Sequence, residues 1–322
     1  MLNRLKSLIK TGVEWLHHDY NVNLGIDNTF RVARFLNTVA LGHRRRQYER
    51  SYINDLQALL RENDEFDGLP KNIMRDGWAI DRSGSLPFLH EMVEQVLPLV
   101  EERGGIPEEG EHKPFFKSFY QEGDLERCPA ILDFILSSEV LATVAHQMGC
   151  IPVLSRLSPP GVRMMESNEA FNPNPKGTLV DSQFYHLDLH DRPVIYVLVL
   201  LTETTLESGP WHFLPASTSN RVRRLLGHGR RGEPYRVTDE KVYSVAAPKE
   251  VVVFTGRPGD VLFIESSSCF HYGSRQAVNP RFQMMFAFTT PCRGDLKEWV
   301  TYGMRPAAKP GDSRLRRMVL RR

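Results

Sequence analysis

Residues 183–188, Gln183-Phe184-Tyr185-His186-Leu187-Asp188, decide how this sequence is interpreted. Successive side chains of a β-strand point to opposite faces, so His186 and Asp188 are expected on the same side. An imidazole and a carboxylate placed in this way can reach one metal ion. An H-x-D tripeptide also occurs often by chance, and a surface histidine beside an aspartate is the simpler alternative. A metal site therefore requires a third ligand.

His271 is the candidate for that third ligand. It follows residues 259–264, Gly259-Asp260-Val261-Leu262-Phe263-Ile264, which are typical of a turn and a buried strand. Two imidazoles and one carboxylate on one face of an octahedral ion leave three positions open, as in non-haem Fe(II) oxygenases. A purely structural site would instead be closed by four protein ligands. The pattern predicts a catalytic metal centre.

Arg281 begins an apolar stretch that ends at Phe288. If this strand returns beside the ligand-bearing segments, the guanidinium can enter the pocket and bind a carboxylate through two hydrogen bonds. Fe(II) with one aspartate keeps one positive charge, and a dianionic 2-oxoacid turns this into one negative charge. One arginine then restores neutrality in a site that excludes water. We expect the competing arginine, Arg275, to stay on its loop.

The charge balance excludes partners that bind by charge alone. The 322 residues include 41 Lys and Arg against 39 Asp and Glu, a net charge of +2, which gives no field to attract nucleic acid or an anionic membrane. Basic clusters at Arg44–Arg46, Arg221–Arg236 and Arg314–Arg322 lack the interleaved aromatics of single-strand binding. We interpret them as solvated faces, with an anionic substrate or partner near 221–236 as the alternative.

The cysteines favour a reducing compartment. Cys128, Cys150, Cys269 and Cys292 form no C-x-x-C pair, which argues against a disulfide framework and a zinc ribbon. The sequence has no apolar run of the roughly 18 residues that a membrane helix needs, and its N-terminal region has no signal-peptide core. We therefore expect free thiols, no membrane span and a cytoplasmic location.

Helical periodicity comes first along the chain and β-strand patterns follow. Apolar residues at helical spacing predict a helix near residues 2–16, docked on the protein's own core or, alternatively, on a membrane surface. Further helices are expected from Asn28, around 52–60 and between Ser137 or Ser138 and Gly149.

From residue 151 the apolar stretches become short, β-branched and bounded by Gly, Pro or Asn. A hairpin is expected over 151–165, followed by strands over 193–201, 249–254, 261–264 and 282–288. No Gly/Ser-rich linker separates the two parts, so the sequence predicts one compact unit in two layers.

At this point the sequence resembles the phytanoyl-CoA dioxygenase-like branch of the Fe(II)/2-oxoglutarate-dependent oxygenases. The resemblance covers roughly residues 74–290 and depends on the order of five elements, which are Asp76-Gly77-Trp78-Ala79-Ile80, residues 183–188, residues 208–217, Gly259-Asp260-Val261 with His271-Tyr272-Gly273, and Arg281. Ser208 replaces the usual Asn and Ala216 the usual Gly. Residues 1–70 are helical additions that the resemblance does not explain.

The resemblance implies a double-stranded β-helix, a mainly β jelly roll with flanking helices. It implies Fe(II) bound by His186, Asp188 and His271, and 2-oxoglutarate bound by Arg281. Gln183 would hydrogen-bond the same cosubstrate or, alternatively, be a structural glutamine at a sheet edge. The family decarboxylates 2-oxoglutarate to succinate and CO2 and uses O2 to hydroxylate a C–H bond. Related halogenases lack the carboxylate ligand, so an intact Asp188 favours hydroxylation.

Other polar residues lie near the motif in sequence. Asp191 and Ser274 are candidates for orienting a ligand imidazole, and nothing in the sequence decides whether either does. We expect His190 and His212 to line the pocket or the surface. Trp211, Tyr185 and Tyr196 are candidates for the pocket wall, although aromatic residues beside strands are more often core.

The predicted organisation is a helical N-terminal extension (1–70), a jelly-roll domain with its supporting helices (71–292) and a basic C-terminal segment (293–322). The predicted function is a 2-oxoglutarate-dependent dioxygenase acting on a small organic molecule that the sequence does not identify. Substrate specificity is expected in loops 166–182 and 217–250. Two alternatives stay open, namely a non-catalytic jelly-roll binding protein and a cupin-type metalloenzyme that does not use 2-oxoglutarate.

Overall fold

The structure is a computed structural model that describes residues 25–66, 68–106, 113–155, 160–172, 174, 177–295 and 306–320. Within these ranges the strands are β1 (Trp78–Asp81), β2 (Phe116–Ser118), β3 (Val153–Leu154), β4 (Val162–Ser167), β5 (Ile195–Leu200), β6 (Trp211–Phe213), β7 (Val252–Phe254), β8 (Val261–Glu265), β9 (His271–Tyr272) and β10 (Arg281–Thr289). The α-helices are α1 (Ile26–Asn63), α2 (Leu89–Arg103), α3 (Asp124–Arg127), α4 (Ala130–Ile135), α5 (Ser138–Met148), α6 (Ala216–Leu225), α7 (Asp239–Tyr243) and α8 (Arg314–Leu320). Short 3₁₀ helices span Glu169–Phe171, Asp181–Gln183 and Pro248–Glu250.

The strands of the described residues form two antiparallel sheets. The larger sheet has seven strands in the order β1-β8-β5-β10-β4-β2, with β3 also paired to β10. The smaller sheet has the order β7-β6-β9. Every pairing between named strands is antiparallel. The expectation of antiparallel sheets with flanking helices is confirmed.

The large sheet separates two cores because its strands alternate. On β10, Met284, Phe286 and Phe288 belong to the cluster that includes residues of α2, α4 and α5. Met285 and Ala287 belong to a second cluster with residues of the small sheet. Since strand side chains alternate between faces, one face of the large sheet packs on helices and the other faces the small sheet. The interior between the sheets contains the candidate site.

The helical N-terminal part is more continuous than its sequence suggests. Residues 26–63 form the single helix α1, where separate helical segments were expected. The amphipathic segment predicted over residues 2–16 lies outside the described residues. Helix α5 is bounded as predicted, with Ser137 before its first turn and Gly149 after its last. Gly149 adopts φ 65°, a left-handed conformation that favours glycine at a helix end.

The hairpin expected over residues 151–165 is wrong. Both of its strands pair with β10 and lie end to end along it, with Leu154 opposite Phe288 and Val162 opposite Phe286. The long central strand therefore supplies the backbone hydrogen bonds that a hairpin partner would have supplied. Residues 156–159 of the expected turn lie outside the described residues.

The two ends of the described chain pack on the same helical face. Leu315 and Val319 of α8 share a core cluster with Tyr48 of α1, and the Tyr48 hydroxyl donates to the Met318 carbonyl oxygen at 2.9 Å. The predicted divisions at residues 70 and 293 remain predictions.

The four cysteines, Cys128, Cys150, Cys269 and Cys292, are all buried, and Cys128, Cys150 and Cys269 are free thiols. Among the helices of the described residues, none is both long and apolar enough to cross a membrane.

Candidate metal centre

Backbone pairing brings the predicted ligands together. His186 and His271 form an antiparallel bridge, in which each backbone N–H donates to the other residue's carbonyl oxygen at 3.1 and 3.0 Å. The Asp188 N–H donates to the carbonyl oxygen of Ser266, the residue directly after the end of β8 at Glu265. Residues 186–188 belong to no named strand, and isolated bridges of Tyr185 and His186 hold this part of the chain in place. Pairing between segments far apart in sequence thus determines where the third ligand lies.

The three side chains form a compact cluster of possible metal ligands. One ligand atom from each of His186, Asp188 and His271 lies within 4.8 Å of the others. His271 Nε2 lies 3.6 Å from Asp188 Oδ2, and the two imidazole centroids are 4.3 Å apart. The histidines are 7% and 3% exposed. The described residues contain no other such His/Cys/Asp/Glu group.

Backbone carbonyls orient both imidazoles. The Nδ1 of His186 lies 2.8 Å from the Phe184 carbonyl oxygen, and the Nδ1 of His271 lies 2.9 Å from the Cys269 carbonyl oxygen. A carbonyl only accepts hydrogen bonds, so each Nδ1 carries the proton and each Nε2 presents its lone pair to the cluster. Neither Asp191 nor Ser274 has this role. The sequence holds no signal for it, because every residue has a carbonyl.

Burial keeps the histidines neutral, which metal binding requires. It lowers the pKa of His271 and holds that of His186 well below its ordinary value. The pKa of Asp188 is also lowered, but this keeps the carboxylate charged. Burial by itself would raise its pKa, but the neighbouring His271 and His190 lower it overall. Its Oδ2 is buried without a hydrogen-bond partner. Two neutral nitrogens and an unpaired carboxylate oxygen suit a divalent metal ion.

A second polar feature, the Arg281 pocket, lies in the same interior and comprises Arg281, Ser167 and Gln283. Arg281 is 0% exposed, and its Nη2 donates to Ser167 Oγ at 2.8 Å. Its Nε and Nη1 have no partner, and neither does the side-chain amide of Gln283. Burial lowers the pKa of Arg281 to about 9. A buried cation without a counter-ion is costly, so this pocket is built for an anion.

Arg275 is occupied elsewhere, as expected. Its Nη1 and Nη2 donate to the two Asp239 carboxylate oxygens at 2.8 Å each, and its Nε donates to the Gln183 carbonyl oxygen at 2.6 Å. The guanidinium also stacks 3.3 Å from the Tyr272 ring centroid. Arg275 therefore locks a loop and does not enter the interior.

Gln183 is also held by the backbone. Its Oε1 accepts from the Val180 N–H at 3.0 Å, and its Nε2 donates to the Ser274 carbonyl oxygen at 2.8 Å. Two backbone groups therefore hold the Gln183 amide in place, and its nitrogen keeps a second N–H.

Two of the three aromatic candidates lie in the interior between the sheets, and the third lies in a separate core cluster. Trp211 stacks on His271, with ring centroids 4.8 Å apart and an interplanar angle of 13°. Tyr196 belongs to the inner cluster. The Tyr185 hydroxyl instead lies 3.0 Å from that of Tyr243, in a separate core cluster. Trp211 and Tyr196 line the site, and Tyr185 is core.

The neighbouring histidines do not join the ligand cluster. His190 Nδ1 lies 3.6 Å from Asp295 Oδ2, and His212 stacks on Tyr272 with centroids 4.6 Å apart.

The structure adds residues that the sequence analysis did not select. Tyr235 lies against His186, with ring centroids 6.2 Å apart, and its hydroxyl donates to the Leu187 carbonyl oxygen at 2.6 Å. The Arg236 guanidinium carbon lies 4.5 Å from the Tyr235 ring centroid, and that of Arg163 lies 5.2 Å from the Tyr196 ring centroid. Because strand side chains alternate, Arg163 shares its face of β4 with Met165 and Ser167.

Comparisons with known proteins give low similarity. No family model and no curated protein matches the chain. Among solved structures, the chain is similar to the non-haem alpha-ketoglutarate-dependent carbocyclase SnoK from nogalamycin biosynthesis, at 14% identity and TM-score 0.46 over 75% of this chain and 98% of that one. It is also similar to EctD from S. alaskensis with 2-oxoglutarate and 5-hydroxyectoine, at 14% identity and TM-score 0.46 over 74% and 83%.

A third similar structure is the epimerase SnoN in complex with Fe3+, alpha ketoglutarate and nogalamycin RO, at 12% identity and TM-score 0.45 over 74% of this chain and 90% of that one. The identities and TM-scores of all three structures are low.

Proposed function

We propose that this protein is an Fe(II)/2-oxoglutarate-dependent dioxygenase of the phytanoyl-CoA dioxygenase-like type, with a double-stranded β-helix core. It would hydroxylate a small organic substrate and release succinate and CO2. One observation carries the proposal. A three-residue cluster suited to a metal and a buried, unpaired arginine occupy one interior between two sheets.

His186, Asp188 and His271 would hold the metal. The carbonyl oxygens of Phe184 and Cys269 orient the two imidazole rings. Asp188 supplies one negative charge. When bound, Fe(II) supplies the redox chemistry that couples decarboxylation of 2-oxoglutarate to oxidation of the substrate by O2. Three protein ligands leave positions for small molecules, which a closed structural site does not.

The Arg281 pocket would bind the distal carboxylate of 2-oxoglutarate. Arg281 offers two unpaired donors, and Gln283 lies two residues further along the inner face of β10 with its amide free. The free N–H of Gln183 is a further donor to the cosubstrate. Counting charges, Fe(II), Asp188, a dianionic 2-oxoacid and Arg281 sum to zero, which a water-excluding interior requires.

The surrounding residues would exclude water and hold the site rigid. Trp211 braces the His271 ring by stacking, and the inner apolar cluster, which includes Leu198, Met285 and Phe254, fills the space between the sheets. A dry, braced site protects reactive species from side reactions. Retention of Asp188 as a ligand favours hydroxylation over halogenation.

The experiment measures cosubstrate binding before turnover. Under anaerobic conditions, 2-oxoglutarate is titrated into the Fe(II)-loaded protein while the metal-to-ligand charge-transfer band is followed. Air, ascorbate and excess 2-oxoglutarate are then added and succinate is measured. The His271→Ala variant should lose both signals, and the matched control His146→Ala, at an exposed histidine of α5, should keep both.

The outcomes separate the alternatives. A protein that binds Fe(II) but gives no charge-transfer band with 2-oxoglutarate would be a cupin-type metalloenzyme with a different cosubstrate. A protein that binds neither would be a jelly-roll binding protein. Either result would overturn the proposal.

A further inference from the structure

The inner face of β4 carries a second, partly buried arginine. Met165 belongs to the inner cluster and Ser167 contacts Arg281, so the alternation of the strand places Arg163 on the same inner face. Arg163 pairs in register with Met285, whereas Ser167 pairs with Arg281. Four residues at about 3.3 Å each separate the two positions by roughly 13 Å. The two arginines therefore serve different ends of the interior.

Arg163 has donors but no counter-ion. Its Nε and Nη2 are buried without hydrogen-bond partners, and the salt bridges found among the described residues do not include it. The guanidinium carbon lies 5.2 Å from the Tyr196 ring centroid. The Tyr196 ring lies 6.1 Å from that of Trp211, which stacks on His271. Arg163 is therefore close to the metal cluster.

Two further cations lie near the metal cluster. Lys113 and Arg236 both form ion pairs with Asp181, and Arg236 Nη1 is buried without a partner. The Arg236 guanidinium carbon lies 4.5 Å from the Tyr235 ring centroid, and Tyr235 lies against His186 with ring centroids 6.2 Å apart. Three positive charges against the two carboxylates of Asp181 and Asp188 leave an excess of one positive charge.

The Arg281 pocket reaches the metal cluster from a different position on the sheet. A Cβ at Gly273 would lie 3.7 Å from Arg281 Nη2 and also 3.7 Å from Trp211 Cδ1, and Trp211 stacks on His271. Arg281 is thus connected to the centre through Gly273 and Trp211, and Arg163 through the Tyr196 ring. The register of β4 and β10 separates the positions of the two arginines by roughly 13 Å.

We infer that Arg163, Arg236 and Lys113 form a substrate-anchoring site that binds an oxyanionic group, a carboxylate or a phosphate, of the molecule to be oxidised. This inference rests on the proposed function, in which 2-oxoglutarate occupies the Arg281 end. Planar guanidinium groups bind the paired oxygens of either anion. The anchor would hold the substrate by its charged end, so that the uncharged part of the same molecule reaches the metal centre.

The test uses inorganic phosphate and benzoate as probes, with benzamide as the uncharged match of benzoate. Each is titrated calorimetrically into the Fe(II)-loaded protein under anaerobic conditions, with saturating 2-oxoglutarate to fill the Arg281 end. We expect at least one anion to bind and benzamide not to bind. The tighter anion identifies whether the anchor is built for phosphate or for carboxylate.

Arg163→Gln should weaken anion binding by about 10- to 100-fold, the loss expected for a hydrogen bond to a charged group. Arg236→Gln should weaken it in the same direction, which guards against a folding defect in either variant alone. The matched control is Arg127→Gln, at a half-exposed arginine paired with Glu102, and it should bind anions as the wild type does. All three variants should keep the 2-oxoglutarate affinity and its charge-transfer band.

Other results overturn the inference. Anion binding that is unchanged in both Arg163→Gln and Arg236→Gln, or absent in the wild type at millimolar concentrations, removes the anchor. Competition between the probes and 2-oxoglutarate for one site would mean that Arg281 binds both. If the wild type fails to bind 2-oxoglutarate but binds the probes through Arg163, the proposed function fails and the anion site stands.

Discussion

The two faces of strand β10 carry different kinds of residue. The face toward the helices presents Met284, Phe286 and Phe288, all fully buried in the larger core cluster. The opposite face presents Arg281 and Gln283, equally buried but with polar atoms that have no partner. The helical face consists of apolar side chains, as a stable core does. The inner face buries polar groups without hydrogen-bond partners, which is unfavourable for folding.

The two faces of this one strand therefore have different roles. Apolar burial on the helical face stabilises the fold, while the inner face retains polar groups that only a ligand would satisfy. Local rules of folding are typically violated at functional sites. We therefore expect substitutions on the helical face to change mainly the free energy of unfolding, and substitutions on the inner face to change mainly ligand binding.

The largest effect is expected from removing a metal ligand. The His271→Ala variant should lose Fe(II) binding and succinate formation to below detection, because two remaining ligands do not make a facial triad. Its thermal unfolding should stay close to that of the wild type, since the ring contributes mainly to the site. Iron content by plasma emission and the melting temperature check both statements. A variant that unfolds would show that the histidine also supports the fold.

On the helical face, Phe286→Ala should reduce the free energy of unfolding by about 3–5 kcal/mol, the cost of a large buried truncation. Phe286 is 0% exposed and its ring lies 5.8 Å from that of Phe134. Urea denaturation measures the change, with Val278→Ala, at a valine 67% exposed, as the control. The folded fraction of the variant should still bind 2-oxoglutarate. A selective loss of binding at unchanged stability would contradict the division between the faces.

On the inner face, Arg281→Ala should weaken 2-oxoglutarate binding by about 2–5 kcal/mol, the cost of breaking a desolvated charge pair. At about 1.4 kcal/mol per tenfold, this is a range from tens to thousands of fold. Arg281→Lys should restore only part of the affinity because it lacks the planar fork. The charge-transfer titration gives the dissociation constants, and Fe(II) affinity should not change. An unchanged constant for 2-oxoglutarate would remove Arg281 from the site.

A smaller effect of opposite sign is expected at Gln283. Replacing its unpaired amide by the apolar Gln283→Leu should raise the free energy of unfolding by about 1 kcal/mol, because a buried polar group without partners is destabilising. The same change should weaken 2-oxoglutarate binding less than Arg281→Ala does. Denaturation and titration of one preparation test both. A loss of stability would mean that the amide is satisfied within the fold.

The smallest effect is expected at Cys269, two residues before a metal ligand. Its thiol is buried in the inner cluster and its Sγ lies 3.7 Å from the Gly77 carbonyl oxygen. Cys269→Ser should keep full iron content and cost about 1 kcal/mol of stability, since a hydroxyl replaces a weakly polar group in an apolar setting. Loss of iron from the variant would identify a thiolate ligand that the proposal lacks.

Much of the site follows from short-range patterns. The alternation around His186 and Asp188 placed both side chains together, and the strand beginning at Arg281 was predicted almost to its ends. The ends of α5 followed from Ser137 and Gly149. Other predictions failed where distant segments compete, as in the expected hairpin whose strands both pair with β10.

The sequence by itself determined the residue types and the faces they occupy, because side-chain direction in a strand depends only on a period of two residues. It thus supplied two imidazoles and one carboxylate as candidate metal ligands, and an arginine as the candidate for binding a carboxylate. Only the tertiary structure decided that His271 pairs with His186, that Arg275 is neutralised by Asp239, and that Arg163 lies opposite Met285 while Ser167 lies opposite Arg281. These relations depend on the register between segments far apart in the chain, and register is set by the packing of the whole sheet rather than by any local pattern.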